Sequence, residues 1–134
     1  MKKGKLIINV DFDGTCVTHD FPQIGKEIGA AEVLKKLTDN GHKLILFTMR
    51  SKDNYIDEAV QWFKDRDIPL YGVNTNPTQH EWTKSPKSHA HMIIDDIAYG
   101  CPLTYNLSLS DRLFVDWKEV EAGLTKRGLI NLAE

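Results

Sequence analysis

The sequence has little of several features that mark particular protein classes. Its two cysteines, Cys16 and Cys101, are too few for a disulfide framework. No apolar run approaches the ~20 residues that a membrane-spanning helix needs. The apolar stretch after the basic N-terminus ends at Asp11, which is too early for a signal peptide. We therefore expect a cytoplasmic protein with reduced thiols and no membrane attachment.

The sequence also lacks a large excess of either positive or negative charge. The 17 Lys and Arg residues nearly balance the 19 Asp and Glu residues, which gives a net charge of −2. Proteins that bind nucleic acid usually carry a strong excess of basic residues. We therefore expect nucleic acid to interact with this protein only as a substrate. The hydrophobic fraction of 41% and charged fraction of 27% are typical of a soluble globular protein. A chain of 134 residues is expected to form one domain, spanning 1–134.

Short apolar runs alternate with helical periodicities along the chain. The pattern predicts strands at 5–10, 43–47, 70–73, 92–94 and 113–115, and helices at 30–40, 54–66 and 117–126. Strands that alternate with helices imply right-handed crossovers and parallel pairing. We therefore predict an α/β fold with a three-layer, doubly wound and mostly parallel sheet.

Chemically active residues follow several of the predicted strands. In an open α/β sheet, ligands bind outside the carboxyl ends of the strands, so these residues should meet in space. They are Asp11, Asp13, Gly14 and Thr15 after the first strand, Thr48, Met49 and Arg50 after the second, and Asp95 and Asp96 after the fourth.

The first of these clusters has the elements of an acid–nucleophile pair. Gly14 permits a turn that can aim backbone N–H groups at an anion. Asp11 and Asp13 can then share one cavity, where each carboxylate disfavours ionisation of the other. One ionised and one protonated acid can act as nucleophile and general acid.

Four converging carboxylates need a cation. Mg²⁺ fits best, because it prefers a few carboxylate oxygens, keeps several waters and bridges to phosphate. Lys84 or Lys87, just before the fourth strand, can add a positive charge for a phosphoryl group. The hydroxyl of Thr48 can donate to a phosphate oxygen.

These residues resemble the motifs of the haloacid dehalogenase superfamily, in the right order over residues 5–96. The segment Asp11-Phe-Asp-Gly-Thr15 resembles motif I, and Thr48 resembles motif II. Lys87 and Ile-Ile-Asp95-Asp96 resemble motifs III and IV. More narrowly, the stretch from Asp11 through Gly25-Lys-Glu-Ile28 and the ending Ile94-Asp-Asp96 resemble small uncharacterised bacterial and phage members of the superfamily.

The resemblance implies a phosphatase and assigns a role to each matching residue. Asp11 would be the nucleophile that forms an aspartyl-phosphate, and Asp13 would protonate the leaving oxygen and then activate water. Thr48 and Lys87 would hold the phosphoryl group. The implied Mg²⁺ ligands are Asp11, Asp13 through its backbone carbonyl, Asp95 and Asp96. The implied substrate contacts are Gly14, Thr15, Thr48, Met49, Arg50 and Lys87.

The gaps between the motifs are too short for a cap domain, because residues 16–47 contain one loop, one helix and one strand. A capless site is open to solvent. It suits a large phosphorylated substrate, such as a protein or a nucleic-acid end, although a small phosphorylated molecule remains an alternative. A lid from another subunit of a homo-oligomer would also fit.

Two other functions remain as alternatives. A receiver-like signalling domain also uses acids, a threonine and a lysine on a doubly wound sheet. Its acidic pair, however, follows the first strand and its phosphorylated aspartate a later one, which is the opposite order. The other alternative is a binding module with this fold that has lost the chemistry.

Overall fold

A four-stranded parallel sheet and three helices form the framework of the protein. The computed structural model describes residues 4–131. The strands of this sheet are β1 (Ile7–Val10), β2 (Lys43–Leu46), β3 (Gly72–Val73) and β4 (Met92–Ile94), and the helices are α1 (Ala30–Asp39), α2 (Asp53–Asp65) and α3 (Trp117–Lys126). The prediction of an α/β fold with a parallel sheet is confirmed.

The strand order is β3-β2-β1-β4, and every pairing in this sheet is parallel. Ile8 of β1 is in register with Leu44 of β2 on one side and with Met92 of β4 on the other. β1 is therefore an interior strand, and the loop after it lies between the ends of β2 and β4.

The helix ends follow from local sequence signals. Gly41 has φ of 88° just after α1, and the His42 backbone N–H donates to the carbonyl of Leu37 at 3.1 Å. At the start of α3, Oδ1 of Asp116 accepts from the backbone N–H groups of Lys118 and Glu119 at 3.1 and 3.3 Å. The predicted C-cap of the first helix and N-cap of the last are confirmed.

The two faces of the sheet are covered differently. Alternate residues of β1 and β2 join the buried apolar side chains of all three helices in one core; from the strands these are Ile8, Val10, Leu44 and Leu46. Between Ile8 and Val10, the buried Asn9 donates through Nδ2 to the carbonyl of Ser88 at 3.2 Å. Residues 74–91, with a single 3₁₀ turn at Gln79–Glu81, thus pack on the Asn9 face.

The last predicted strand does not join the main sheet. It is β6 (Phe114–Val115), and it pairs antiparallel with β5 (Leu103–Thr104), a strand that the sequence pattern does not predict. This β5–β6 hairpin is fixed to the loop that follows β1, since the Val115 backbone N–H donates to the carbonyl of Gly14 at 3.1 Å.

Within residues 4–131, no helix has both the length and the apolar character that crossing a bilayer requires. The basic start of the chain at residues 1–3, and residues 132–134 of the predicted domain, lie outside the described part.

Candidate active site

Asp11 lies where β1 ends, at the middle of the sheet edge. Its backbone N–H donates to the carbonyl of Ile94 in β4 at 3.0 Å. On the other side, the backbone N–H of Phe47 donates to the carbonyl of Val10 at 2.8 Å. Phe12 is fully buried and packs edge-on against Trp62. The residue after Asp11 therefore anchors the loop in the core, which fixes Asp11 at the edge.

The loop after Asp11 closes on itself. The backbone N–H groups of Thr15 and Cys16 both donate to the carbonyl of Phe12, at 3.1 and 2.8 Å, and that of Gly14 donates to Val17 at 2.8 Å. In this geometry the turn does not aim the backbone N–H groups of Gly14 and Thr15 into the cavity, so their contact with a bound anion stays a prediction without support from these hydrogen bonds. These donors are used within the turn.

Three carboxylates converge beside this loop. One oxygen each of Asp11, Asp95 and Asp96 lies within 4.8 Å of the others. The buried Thr15 hydroxyl links two of them: Oγ1 donates to Oδ2 of Asp11 at 2.7 Å and accepts from the Asp96 backbone N–H at 3.0 Å. Thr15 thus positions the acidic cluster, a role that its place in the sequence did not indicate.

Close packing explains the glycine in this loop. Gly14 has φ of 83°, and a Cβ there would lie 2.0 Å from Nε2 of His19 and 2.6 Å from Oδ2 of Asp96. The same two atoms are themselves 2.8 Å apart. A larger residue at position 14 would have to displace the His19–Asp96 pair.

The acidic cluster carries more negative charge than its protein partners offset. Burial and, to a lesser extent, the nearby charge of Asp95 together raise the pKa of Asp11 to about 7, although the hydrogen bond from Thr15 opposes the rise. Burial also raises the pKa of Asp95, with Asp96 adding to the effect. A cation bound among the three would relieve this cost.

Asp13 has a different environment. Its two carboxylate oxygens accept from Nη2 and Nε of Arg50 at 2.7 and 2.9 Å. The remaining Arg50 donors are used by the carbonyls of Pro22, Gln23 and Tyr55. The predicted contact between Arg50 and substrate is therefore not supported, because its buried guanidinium is fully occupied in holding Asp13.

A cavity of about 470 Å³ opens over these carboxylates. Its lining residues are Asp11, Asp13, His19, Phe47, Thr48, Met49, Asn74, Asp95, Asp96, Ile97 and Arg112. The four aspartates, Thr48 and Met49 were expected at this edge of the sheet, and the structure brings them together.

Thr48 is held by the end of a neighbouring strand. Its backbone N–H donates to Oδ1 of Asn74 at 2.8 Å, and its Oγ1 accepts from the backbone N–H of Arg50 at 3.2 Å. The hydroxyl hydrogen of Thr48 is therefore available to an acceptor in the cavity. Asn74 has φ of 60°, a conformation that asparagine tolerates better than most residues. An asparagine directly after the third predicted strand was the only signal in the sequence that could have pointed to this residue.

The two candidate lysines lie elsewhere. Lys87 is exposed and lines a separate cavity with Trp82, His89 and His91. Lys84 is also exposed and lines a third cavity, beside Pro86. Neither lines the acidic cavity, so the structure does not bring the predicted phosphate-binding lysine to Asp11. Arg112, on the β5–β6 hairpin, does line it, and no pattern in the sequence singled it out.

Comparison with known proteins gives one informative match. No protein-family model matches the sequence, and no curated protein matches it either. A solved structure of a conserved protein from Bacteroides thetaiotaomicron is 33% identical, over 92% of this chain and 93% of that one, with a TM-score of 0.73. The chain therefore belongs to the same family as this conserved Bacteroides protein.

Proposed function

We propose that the protein is a Mg²⁺-dependent phosphohydrolase that acts through an aspartyl-phosphate on Asp11. The observation that carries this proposal is the convergence of Asp11, Asp95 and Asp96 in one cavity with Asp13 and Thr48. The same residues, in the same order, are those that resemble motifs I, II and IV of the haloacid dehalogenase superfamily. Membership of that superfamily is part of the proposal.

The donor set of the cluster suits Mg²⁺. Asp11, Asp95 and Asp96 offer oxygen atoms, which Mg²⁺ prefers, and no thiolate or imidazole belongs to the described cluster. The raised pKa of Asp11 indicates that its charge lacks compensation from the protein. When bound there, Mg²⁺ would supply charge neutralisation for the acids and for a phosphoryl oxygen.

The chemistry of the chain's own residues then follows in two transfers. In the first, an Asp11 carboxylate oxygen attacks the phosphorus atom, the bond to the leaving oxygen breaks, and Asp13 gives that oxygen a proton. In the second, Asp13 takes a proton from water, the resulting hydroxide attacks phosphorus, and the bond to Asp11 breaks. Orthophosphate leaves and both aspartates return to their starting states.

Neighbouring side chains position these groups. Thr15 holds one oxygen of Asp11, and Arg50 holds both oxygens of Asp13. Thr48 would donate its hydroxyl hydrogen to a phosphoryl oxygen. Because Thr15 and Arg50 lie in the segments after β1 and β2, which meet at this edge of the sheet, the two acids are fixed relative to one another before substrate binds.

The fold is proposed to be a reduced form of the doubly wound core. Helices α1, α2 and α3 would form one outer layer, and residues 74–91 would take the place of a helical layer on the Asn9 face. We propose that no cap domain covers the site, which would admit a large phosphorylated substrate. The two free thiols fit a reducing compartment such as the cytoplasm.

Release of p-nitrophenol from p-nitrophenyl phosphate tests the proposal. We expect turnover in Mg²⁺ and its loss in EDTA. Asp11→Asn should lower kcat by at least about 10³-fold, because it removes the nucleophile. Asp20→Asn is the matched control, since Asp20 is exposed and does not line the cavity. Equal activity of Asp11→Asn and the wild type would refute the assignment of Asp11.

A further inference from the structure

The positive charge available to a substrate in the acidic cavity is limited. Among the cavity-lining residues, the described cationic side chains are His19 and Arg112. His19 is already paired with Asp96 at 2.8 Å. Arg50 lies close by but is occupied by Asp13 and three backbone carbonyls. A phosphoryl dianion would thus enter a site with four carboxylates and little free cationic charge.

Arg112 is the exception. No carboxylate of the described residues lies within 4.0 Å of its guanidinium nitrogens in an ion pair, and its side chain is exposed at the cavity. An unpaired guanidinium keeps its donors for an incoming anion, and its planar geometry suits two oxygens of a phosphate.

The β5–β6 hairpin holds Arg112 beside the loop after β1, which contains Asp11, Gly14 and Thr15. The chain is tied to that loop twice, once from Val115 in β6 and once from Trp117 at the start of α3. The Val115 backbone N–H donates to the Gly14 carbonyl at 3.1 Å, and Nε1 of Trp117 donates to the Thr15 carbonyl at 2.7 Å. The hairpin is also closed at its base, where the Asp116 backbone N–H donates to Pro102 at 2.8 Å. Arg112 therefore sits on a segment whose base is fixed to the residues next to Asp11.

We propose that Arg112 binds the non-bridging oxygens of the substrate's phosphoryl group, the role that the resemblance assigns to Lys87. The inference rests on the proposed function and adds a substrate-binding residue to it. The cation that lines the cavity thus lies on the hairpin after β4, whereas the resemblance places it in the segment before β4. The chain therefore supplies the required charge from a position that the motif order does not indicate.

Five variants test this assignment in Mg²⁺: Arg112→Ala, Arg112→Lys, Lys87→Ala, Lys84→Ala and Arg127→Ala. We expect Arg112→Ala to lower kcat/KM for p-nitrophenyl phosphate by about 10- to 100-fold and to raise the inhibition constant of orthophosphate about tenfold or more. Arg112→Lys should recover part of the loss. Millimolar guanidinium ion should rescue Arg112→Ala, because it restores the missing donor. A purely structural role would not produce that rescue.

The controls compare cations at other positions. Arg127 is an exposed arginine outside the acidic cavity, so Arg127→Ala should match the wild type. The two lysine variants should lose less activity than Arg112→Ala. Since Arg112 is exposed and carries no described ion pair, Arg112→Ala should keep the wild-type circular dichroism spectrum and Tm.

The outcomes separate this inference from the proposed function. If the wild type is active and Asp11-dependent but Arg112→Ala stays within twofold of it, or if Lys87→Ala carries the larger loss, the Arg112 assignment is overturned alone. If the ester is a poor substrate, the rise in Tm caused by orthophosphate with Mg²⁺ replaces turnover, and Arg112→Ala should lose most of it. A wild type that shows neither turnover nor this rise would overturn both.

Discussion

Gly14 is required for two separate reasons, its backbone conformation and the closeness of its neighbours, and a second glycine separates them. Gly14 and Gly100 both have positive φ, 83° and 91°, but a Cβ at Gly100 would meet nothing within 4 Å. Gly100→Ala therefore tests backbone strain alone, which costs on the order of 1 kcal/mol. Gly14→Ala adds a clash with His19 and Asp96.

We predict that Gly14→Ala lowers the affinity for Mg²⁺ about tenfold or more, because Asp96 must move, whereas Gly100→Ala leaves the affinity unchanged. Titration calorimetry with Mg²⁺ measures both. Equal Mg²⁺ affinity in the two variants would show that Asp96 is not held against the loop as described.

At the residue scale, the sequence predicts which side chains reach the site better than it predicts their partners. The four aspartates and Thr48 follow strand ends, so a parallel sheet suffices to place them. The pairing of Asp13 with Arg50 depends on where two loops cross and on rotamers within them, which sequence spacing does not encode. The predicted approach of Lys87 to Asp11 is not observed for a related reason. Residues 74–91 run along the sheet face without an α-helix that would set the direction of their side chains.

At the level of elements, Arg50 joins four parts of the fold. It follows β2, holds Asp13 in the loop after β1, and donates to Pro22 and Gln23 in the next loop and to Tyr55 in α2. Its guanidinium carbon also lies 5.1 Å from the ring centre of Phe12. One buried side chain thus stabilises connections that are otherwise irregular.

We expect Arg50→Lys to lower the free energy of unfolding by roughly 2–4 kcal/mol, since an ammonium group cannot reproduce the paired contacts to Asp13 and leaves buried carbonyls without donors. The matched control is Arg66→Lys, which changes a more exposed pair with Glu27 and should cost less than about 1 kcal/mol. Urea unfolding of both variants gives the comparison. A similar loss in both would mean that Arg50 has no special structural role.

The sequence predicts long elements better than short ones. The strands and helices with strong periodicity were predicted within about three residues of their ends, and the caps at Gly41 and Asp116 explain why. The two-residue strand Leu103–Thr104 has no periodicity to detect. The strand at 113–115 was predicted, but its pairing with Leu103–Thr104 was not, because so short an antiparallel partner has no hydrophobic pattern of its own in the sequence.

For the molecule as a whole, the acidic cluster should make metal-free stability depend on pH. The folded state binds a proton on Asp11 up to a pKa of about 7, whereas the unfolded chain loses it near 3.8. Between these values unfolding releases a proton, so stability falls as pH rises through the window and the full penalty is present above pH 7. The raised pKa of Asp95 acts in the same direction.

Asp11→Asn removes the titrating group and should therefore raise the Tm of the protein in EDTA at pH 8, by roughly 2–8 °C. The gain should shrink as the pH falls from 7 towards 3.8, because the carboxyl becomes protonated in both the folded and the unfolded wild type only below that value. Saturating Mg²⁺ should narrow the difference at pH 8 by stabilising the wild type. If Asp11→Asn is less stable than the wild type in EDTA at pH 8, the inference that the charge of Asp11 is uncompensated is contradicted.

The hydrogen bonds around the loop after β1 also bear on how the protein folds during its synthesis. The loop bonds to Ile94, Val115 and Trp117, which lie about 80 to 100 residues later in the chain. During synthesis the N-terminal strand leaves the ribosome well before any of these partners exists. The acids therefore stay apart in the nascent chain, and the site is assembled only after the segment through α3 has emerged. A partly synthesised chain that ends before β4 lacks Asp95 and Asp96, so the three carboxylates can converge only after β4 has emerged from the ribosome.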